Sequence, residues 1–164
     1  MTDEGWNMMR FDEFAERVRE SVIPAESGLR HYIGPEHIDS MKLNILRWDT
    51  DRNLIGAKLI VREGQIIIAK RRWYLRRVGI APFDALCSAH TLIVKPISEK
   101  IEPDFLPIFL LSDEFYQKGI EISVGSLSPT INWSALRETE FRIPSREIQQ
   151  KVVRASKAIT TLQS

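Results

Sequence analysis

The chain carries a short, strongly basic stretch near its centre. Its eight residues, Lys70 to Arg77, include five cations and two aromatic residues and no acid. Lysine and arginine neutralise phosphate groups and release counterions, which gives affinity for nucleic acid of any sequence. Arginine also reads guanine in the major groove, and aromatic rings stack on bases. The stretch therefore predicts a phosphate-binding surface. The alternative is a solvent-exposed basic turn that binds no ligand.

The side chains of this stretch that we predict to face nucleic acid are Lys70, Arg71, Arg72, Tyr74, Arg76 and Arg77, and Lys58 is a further candidate. Trp73 could equally be a core residue, and so could Trp133. The basic stretch is preceded by Gln65–Lys70, which contains three consecutive isoleucines and is typical of a buried strand. A strand would therefore deliver the basic loop to one place on the surface.

A second polar loop lies far downstream, at Gly125–Thr130. Glycine allows the backbone to approach a ligand closely, and neutral hydroxyl groups suit phosphates and base edges. An asparagine can pair bidentately with adenine. The candidate contacts of this second set are Ser126, Ser128, Thr130 and Asn132. The alternative is an ordinary Ser-Pro turn.

No set of residues with a recognisable catalytic spacing is present in the sequence. Cys87 and His90 have the spacing of half a zinc site, but a structural zinc ion needs four ligands. The sequence also lacks a glycine-rich phosphate loop and a Gly-x-Ser-x-Gly motif. We therefore predict a protein that has no catalytic residues, binds no metal and binds no cofactor of its own.

Length and composition are those of a single globular domain. The chain has 164 residues, 43% of them hydrophobic, and a net charge of +1. Positive charge is nevertheless concentrated, because residues 64–98 contain six cations and one acid. The single cysteine, the absence of a secretory pattern and the absence of a long apolar run predict a cytoplasmic protein that does not contact a membrane.

The coarse pattern predicts mixed helices and strands. We expect a frayed start over residues 1–10, an amphipathic helix from Phe11 to Glu20 and a strand from Leu43 to Trp48. The remaining predicted strands are Leu29–Ile33, Lys58–Val61, Val78–Pro82, Thr91–Val94, Glu121–Val124 (or extended chain) and Glu140–Ile143. The predicted helical turns are Pro35–Ile38, Phe105–Leu111, Asp113–Lys118 and Trp133–Leu136.

The last segment differs from the rest because its apolar residues recur at alternating spacings of four and three. Ser145 can cap a helix there, and Glu147 lies in the first turn. The apolar seam consists of Ile148, Val152, Ala155, Ile159 and Leu162. Such a seam predicts packing against a partner, which could be another subunit, a second copy or the domain itself.

Three parts of the sequence together resemble the target recognition domain of specificity (S) subunits of type I restriction–modification systems. Leu29–Asp39 is similar to the opening motif of that family, and Gly64–Arg72 to its central strand. The downstream match begins at Gly125 and Ser126 and continues through Ile131, Trp133, Leu136, the Phe141–Pro144 strand and Glu147–Val153. One departure is Ser145, which replaces an apolar position that follows the proline.

The resemblance implies an α+β fold: a single mixed α/β recognition domain with a twisted β-sheet core (residues 1–144), followed by a spacer helix (residues 145–164). It implies sequence-specific binding of double-stranded DNA at one half-site, without catalysis. Methyltransferase (M) subunits would supply S-adenosylmethionine, and a restriction (R) subunit would use ATP. A full S subunit has two such domains, so the resemblance also implies pairing with a second half-subunit or a second copy, or a fragment of a longer chain. The alternative is a protein–protein module that docks through its C-terminal helix and does not bind DNA.

Overall fold

The computed structural model describes residues 5–163, with side chains as far as residue 159. The strands are β1 (Trp6–Arg10), β2 (Ala15–Val18), β3 (Ser21–Val22), β4 (His31–Ile33), β5 (Asp49–Thr50), β6 (Lys58–Val61), β7 (Ile66–Ala69), β8 (Val78–Ile80), β9 (Ala85–Cys87), β10 (Thr91–Pro96) and β11 (Glu140–Pro144). The helices are α1 (Phe11–Phe14), α2 (Pro24–Ser27), α3 (Phe105–Leu110), α4 (Asp113–Ile122), α5 (Trp133–Leu136) and α6 (Arg146–Gln163). Short 3₁₀ turns cover Pro35–His37 and Trp73–Leu75.

The strands form three sheets. A five-stranded sheet has the order β3-β6-β9-β4-β5, a four-stranded sheet has the order β2-β10-β7-β8, and β1 pairs with β11 alone. Neighbouring strands are antiparallel except for the parallel pair β4 and β9. This arrangement confirms the predicted mixed α/β architecture with a C-terminal helix.

The four-stranded sheet is buried on both faces, which explains the run of isoleucines in β7. Ile66 and Ile68 point into a large cluster that also contains the phenylalanines of α1, α3 and α4. Ile67 points the other way, into a second cluster that lies against the five-stranded sheet. Successive side chains of a strand face opposite sides, so a strand buried on both sides is apolar at every position. The strand that delivers the basic loop is therefore fixed from both faces.

Four sequence-based predictions were wrong in whole or in part. The predicted strand Glu121–Val124 overlaps the last turn of α4, which ends at Ile122. The other three depend on pairing with a strand distant in sequence, which is present in two of them and nearly absent in the third. The predicted helix from Phe11 ends at Phe14, since Ala15–Val18 pairs with β10. The predicted frayed start contains β1, which pairs with β11 from Trp6 to Arg10. The predicted strand Leu43–Trp48 forms only one isolated bridge, between Asn44 and Ile80.

The predicted C-terminal helix is confirmed as α6, and its first turns pack on the domain. Gln149 is buried and joins two other segments, because its side chain accepts from the Glu102 N–H at 2.7 Å and donates to the Pro144 carbonyl at 2.8 Å. Val152 and Val153 pack against the large core cluster. The division of the chain at residues 144 and 145 remains a prediction.

Among the described residues, no helix has both the length and the apolar character needed to cross a membrane.

Candidate nucleic-acid interface

The basic loop and the serine-containing loop, far apart in sequence, are joined directly. The Ile131 N–H donates to the Lys70 carbonyl at 3.1 Å, and the Trp73 N–H donates to the Pro129 carbonyl at 3.3 Å. Arg71 and Thr130 form an isolated antiparallel bridge between these two hydrogen bonds. The basic loop (Lys70–Arg77) and the serine loop (Gly125–Thr130) are therefore neighbours on one surface.

Trp73 anchors the basic loop in the core. Its side chain is only 3% exposed, its Nε1–H donates to the Tyr116 carbonyl at 3.1 Å, and its ring meets the edge of Phe115. Gly119 of α4 makes room for the indole, because a Cβ atom at that position would lie 2.2 Å from Trp73 Nε1. Tyr74, the next residue, is 52% exposed. Of the two aromatic residues, one fixes the loop and the other is available to a ligand.

Two of the five cations in the loop hold the fold together. The Arg76 guanidinium donates to the Leu111 carbonyl at 2.8 Å, pairs with Asp113 at 3.0 Å and lies over the Tyr116 ring. The Arg77 guanidinium donates to the Pro35 carbonyl at 3.1 Å and to the Arg71 carbonyl at 3.4 Å. Both were predicted to face DNA, but each guanidinium already donates to neighbouring backbone carbonyl groups.

The other three cations are available to a ligand. Arg71 and Arg72 are exposed, and their side chains form no hydrogen bond or ion pair with the described part of the chain. Lys70 is half-buried, and its pKa is lowered by burial and by the nearby charges of Arg17, Arg71 and Arg19. Because these three cations lie close together and none of them forms an ion pair with an acid of the described residues, this surface attracts anions.

The backbone at Arg72 is in the left-handed region, at a φ of 52°. An L-residue other than glycine pays a steric cost of about 1–2 kcal/mol for that conformation. We predict that Arg72→Gly raises the free energy of unfolding by about 0.5–1 kcal/mol while it weakens DNA binding. Urea unfolding and fluorescence anisotropy measure the two effects. Arg71→Gly is the matched control, because Arg71 has no positive φ; an equal gain in stability there would contradict the assignment of strain to residue 72.

A groove runs beside the joined loops. One cavity of about 380 Å³ lies under the basic loop, and a second of about 370 Å³ continues from it. The two share a wall made of Tyr32, Ser88 and His90. The first cavity is also lined by Pro35, Glu36, Arg71, Arg72, Arg77 and Ser128. The second is also lined by Arg52, Asn53, Leu54, Ile55, Lys58 and Ala89. Cations from three separate segments therefore face one concave surface.

Sequence reasoning missed several residues of this surface. Burial and the charges of Arg71, Lys70 and Lys58 lower the pKa of His90, so His90 lies among the predicted cations. The cations of β2 and of the residue that follows it, Arg17 and Arg19, act on Lys70. Because the predicted helix from Phe11 to Glu20 included β2, Arg17 and Arg19 were not recognised as neighbours of the basic loop. His90 was considered only as a metal ligand, although its place in the turn between β9 and β10 puts it in the groove.

The candidates of the serine loop differ in availability. Ser126 and Ser128 are exposed, whereas the Thr130 hydroxyl already donates to the Ser128 carbonyl at 3.2 Å. Asn132 is exposed at the N-terminus of α5, and its side chain forms no capping hydrogen bond. Lys58 belongs to the second cavity, where its Nζ donates to the Ile55 carbonyl at 2.7 Å. Of these candidates, Ser128 and Lys58 line the two cavities of the groove, and the members of the set are not equally free.

Among the described residues, one group has the composition of a metal site: Glu36, His37 and Asp49. His37 Nδ1 accepts from the Gly34 N–H at 2.9 Å, and Nε2 lies 3.3 Å from Asp49. Both ring nitrogens therefore have protein partners, as expected of a buried structural histidine. Cys87 is buried, and burial raises its pKa to about 11, which disfavours the thiolate that a metal ion would need.

The seam of α6 is divided between the domain and the surface. Val152 packs on the core, and Ile148 is half-buried beside Gly5. Ala155 is exposed and Ile159 is 56% exposed. The side chain of Leu162 lies outside the described residues. The first turns of the helix thus pack on the domain, whereas the later described turns expose their apolar side chains; packing against a partner remains a prediction.

Comparisons with known proteins agree on the kind of domain. The model of the type I restriction modification DNA specificity domain matches residues 4–162. The EcoDI type I restriction enzyme specificity subunit of Escherichia coli is 31% identical over 151 residues, which are 91% of this chain and 33% of that protein. The chain thus spans about a third of the length of this curated relative.

Solved structures show the same fold. A chain from a study of complex assembly and conformational transition of the type I R-M system superimposes with a TM-score of 0.81 at 20% identity, covering 98% of this chain and 44% of that one. The HsdS subunit from Thermoanaerobacter tengcongensis superimposes with a TM-score of 0.75 at 22% identity, covering 95% of this chain and 42% of that one. The chain belongs to the family of type I restriction modification DNA specificity domains.

Proposed function

We propose that this domain recognises one half-site of a duplex DNA target on behalf of a type I restriction–modification assembly. The observation that carries the proposal is the direct backbone connection of the basic loop to the serine loop at the edge of a cation-lined groove. Family membership supports the same function. Because the chain spans only part of its relatives, the activity of the whole assembly is also part of the proposal.

The side chains divide by chemistry into those that hold phosphates and those that read bases. Lys70, Arg71 and Arg72 form the phosphate-binding group, since they are close together and lack acidic partners. Ser126, Ser128 and Asn132 offer neutral donors and acceptors to phosphates or base edges. Arg76 and Arg77 act indirectly, because they fix the loop that carries the first group.

The proposed partners follow from the family. Methyltransferase subunits would bind S-adenosylmethionine and carry out methylation, and a restriction subunit would use ATP. This chain would supply recognition in the cytoplasm and hold no cofactor. The exposed end of the α6 seam, at Ala155 and Ile159, offers a surface for another subunit or for a second specificity half-subunit.

The alternative, a protein–protein module without DNA binding, is not favoured. The matching family is defined by DNA specificity, and a protein-docking function alone gives no reason to gather cations with few acids around a groove. The first half of the proposed docking seam is also partly used by the domain itself.

Selection from a pool of random duplexes tests the proposed function. The purified chain should enrich one short sequence, and its affinity for that duplex should fall steeply as salt is raised. If no sequence is enriched and the affinity for DNA does not change with salt, the proposed function is wrong and the protein–protein alternative is favoured.

His90 provides a pH-dependent test of the groove. Its pKa is lowered in the free protein by burial and by Arg71, Lys70 and Lys58. Bound phosphates would offset those cations and raise the pKa, so protonation of His90 would accompany binding. We therefore predict that DNA affinity increases as the pH falls through the bound-state pKa and levels off below the free-state pKa. His90→Gln should remove this increase, measured by anisotropy between about pH 8 and about pH 5.5; an unchanged pH profile would contradict it.

A further inference from the structure

The loop between β5 and β6, Asp51–Ala57, forms the far wall of the groove. Four of its residues line the second cavity, which meets the first at Tyr32, Ser88 and His90. Lys58, which follows the loop as the first residue of β6, lines the same cavity. A duplex that lies on the basic and serine loops and continues along the groove would reach Asp51–Ala57 next.

The acids in and beside this loop are neutralised by neighbours. Asp51 forms an ion pair with Arg30, with the closest approach at 2.7 Å. Asp49 pairs with Arg52 at 3.0 Å, and the Arg52 guanidinium lies 5.2 Å from the centre of the Tyr32 ring. The two carboxylates that would repel a phosphate backbone are therefore compensated.

The loop is shaped by its ends. Asp51 and Gly56 have φ values of 55° and 81°, and the Asp51 N–H donates to the Arg30 carbonyl at 2.8 Å. Lys58 Nζ holds the Ile55 carbonyl from the other side. Within the described structure, residues 52–57 form no main-chain hydrogen bond to another main-chain group. The main chain of this loop is thus not paired with a neighbouring strand, and most of its side chains are exposed.

Two neutral side chains are left available at the tip. Asn53 is exposed and forms no side-chain hydrogen bond with the described residues, and Ile55 is 88% exposed. In the major groove an A·T pair presents the N6 and N7 atoms of adenine and the methyl group of thymine. A carboxamide can form hydrogen bonds with adenine N6 and N7, and an aliphatic side chain can pack against the thymine methyl group. Asn53 and Ile55 are two positions apart, and together they offer both groups.

We propose that Asp51–Ala57 is a third DNA-contacting loop, in which Asn53 and Ile55 select one A·T base pair of the target. The proposal rests on the proposed function of the groove and adds specificity to it. Both side chains are neutral, so they contribute to the choice of sequence and leave the phosphate-binding charge unchanged.

Selection from random duplexes with the full chain tests this loop. Asn53→Ala should lose a preference of roughly tenfold to a hundredfold for an A·T pair at one position of the enriched sequence, and the other positions should be unchanged. Replacing the thymine at that position by uracil should weaken wild-type binding roughly fourfold, since the duplex then has no methyl group to pack against Ile55. The same replacement should have no effect on Ile55→Ala. The salt dependence should be equal in all three proteins.

Leu46→Ala is the matched control, because Leu46 is 75% exposed but lines neither cavity. If Asn53→Ala and Ile55→Ala enrich the same sequence as the wild type, the proposal that Asp51–Ala57 is a third DNA-contacting loop is wrong. The proposed function still stands in that case, provided that removing Arg71 and Arg72 weakens binding. If the wild-type chain enriches no sequence, both proposals are wrong.

Discussion

Replacing Arg71 and Arg72 together by alanine is expected to weaken duplex DNA binding roughly a hundredfold or more, since hydrogen bonds to charged groups contribute about 1.5–3 kcal/mol each. Both side chains are exposed beside the groove and form no hydrogen bond or ion pair with the described residues. Their removal should therefore leave stability nearly unchanged. The slope of log affinity against log salt should also become shallower by about 1.8, or about 0.9 for each phosphate that is no longer neutralised.

A charge-matched control separates direct phosphate binding from bulk charge. Lys100→Ala with Lys151→Ala removes two exposed cations that line neither cavity of the groove. In this variant the slope of log affinity against log salt concentration should be nearly that of the wild type. Equal losses of affinity in the two double variants would mean that net charge, and not the basic loop, governs binding. Anisotropy titrations at several salt concentrations, with urea unfolding of each variant, provide the comparison.

Trp73→Ala is expected to lower the free energy of unfolding by about 3–5 kcal/mol. The substitution empties a site packed by Phe115 and α4 and leaves the Tyr116 carbonyl without the indole donor. DNA affinity should fall as well, although Trp73 is almost fully buried, because Arg71 and Arg72 lose the anchor that fixes their loop. Urea unfolding measures the first effect and anisotropy the second.

Tyr74 and Gly119 are the controls for this anchor. Tyr74→Ala removes an exposed ring from the next position and should change the stability by no more than about 0.5 kcal/mol. Gly119→Ala keeps the indole but places a Cβ atom against it, and should cost about 1–3 kcal/mol through overpacking. If Trp73→Ala and Tyr74→Ala lose the same stability, the anchor assignment is wrong.

The sequence alone determined the parts of this protein in which local pattern and environment agree. The three consecutive isoleucines of β7 predict a buried strand, and the basic stretch after them predicts a cationic loop. Most of the helical turns were predictable for the same reason, and so was α6, because alternating spacings of four and three are specific to a helix. The family was likewise identifiable, since it depends on the order of several local motifs.

Only the tertiary structure decided which of these residues are available to a ligand. Five cations that look equivalent in the sequence divide into two whose guanidinium groups hold neighbouring backbone and three whose side chains form no hydrogen bond or ion pair with the described residues. The apolar spacing from Phe11 onward predicts a helix, but Ala15–Val18 forms strand β2, because its main chain forms hydrogen bonds with β10. The union of the basic and serine loops also depends on hydrogen bonds between segments far apart in the chain, such as that between the Ile131 N–H and the Lys70 carbonyl. Long-range pairing leaves no periodic signal in the sequence, so the shape of the candidate DNA surface had to come from the fold.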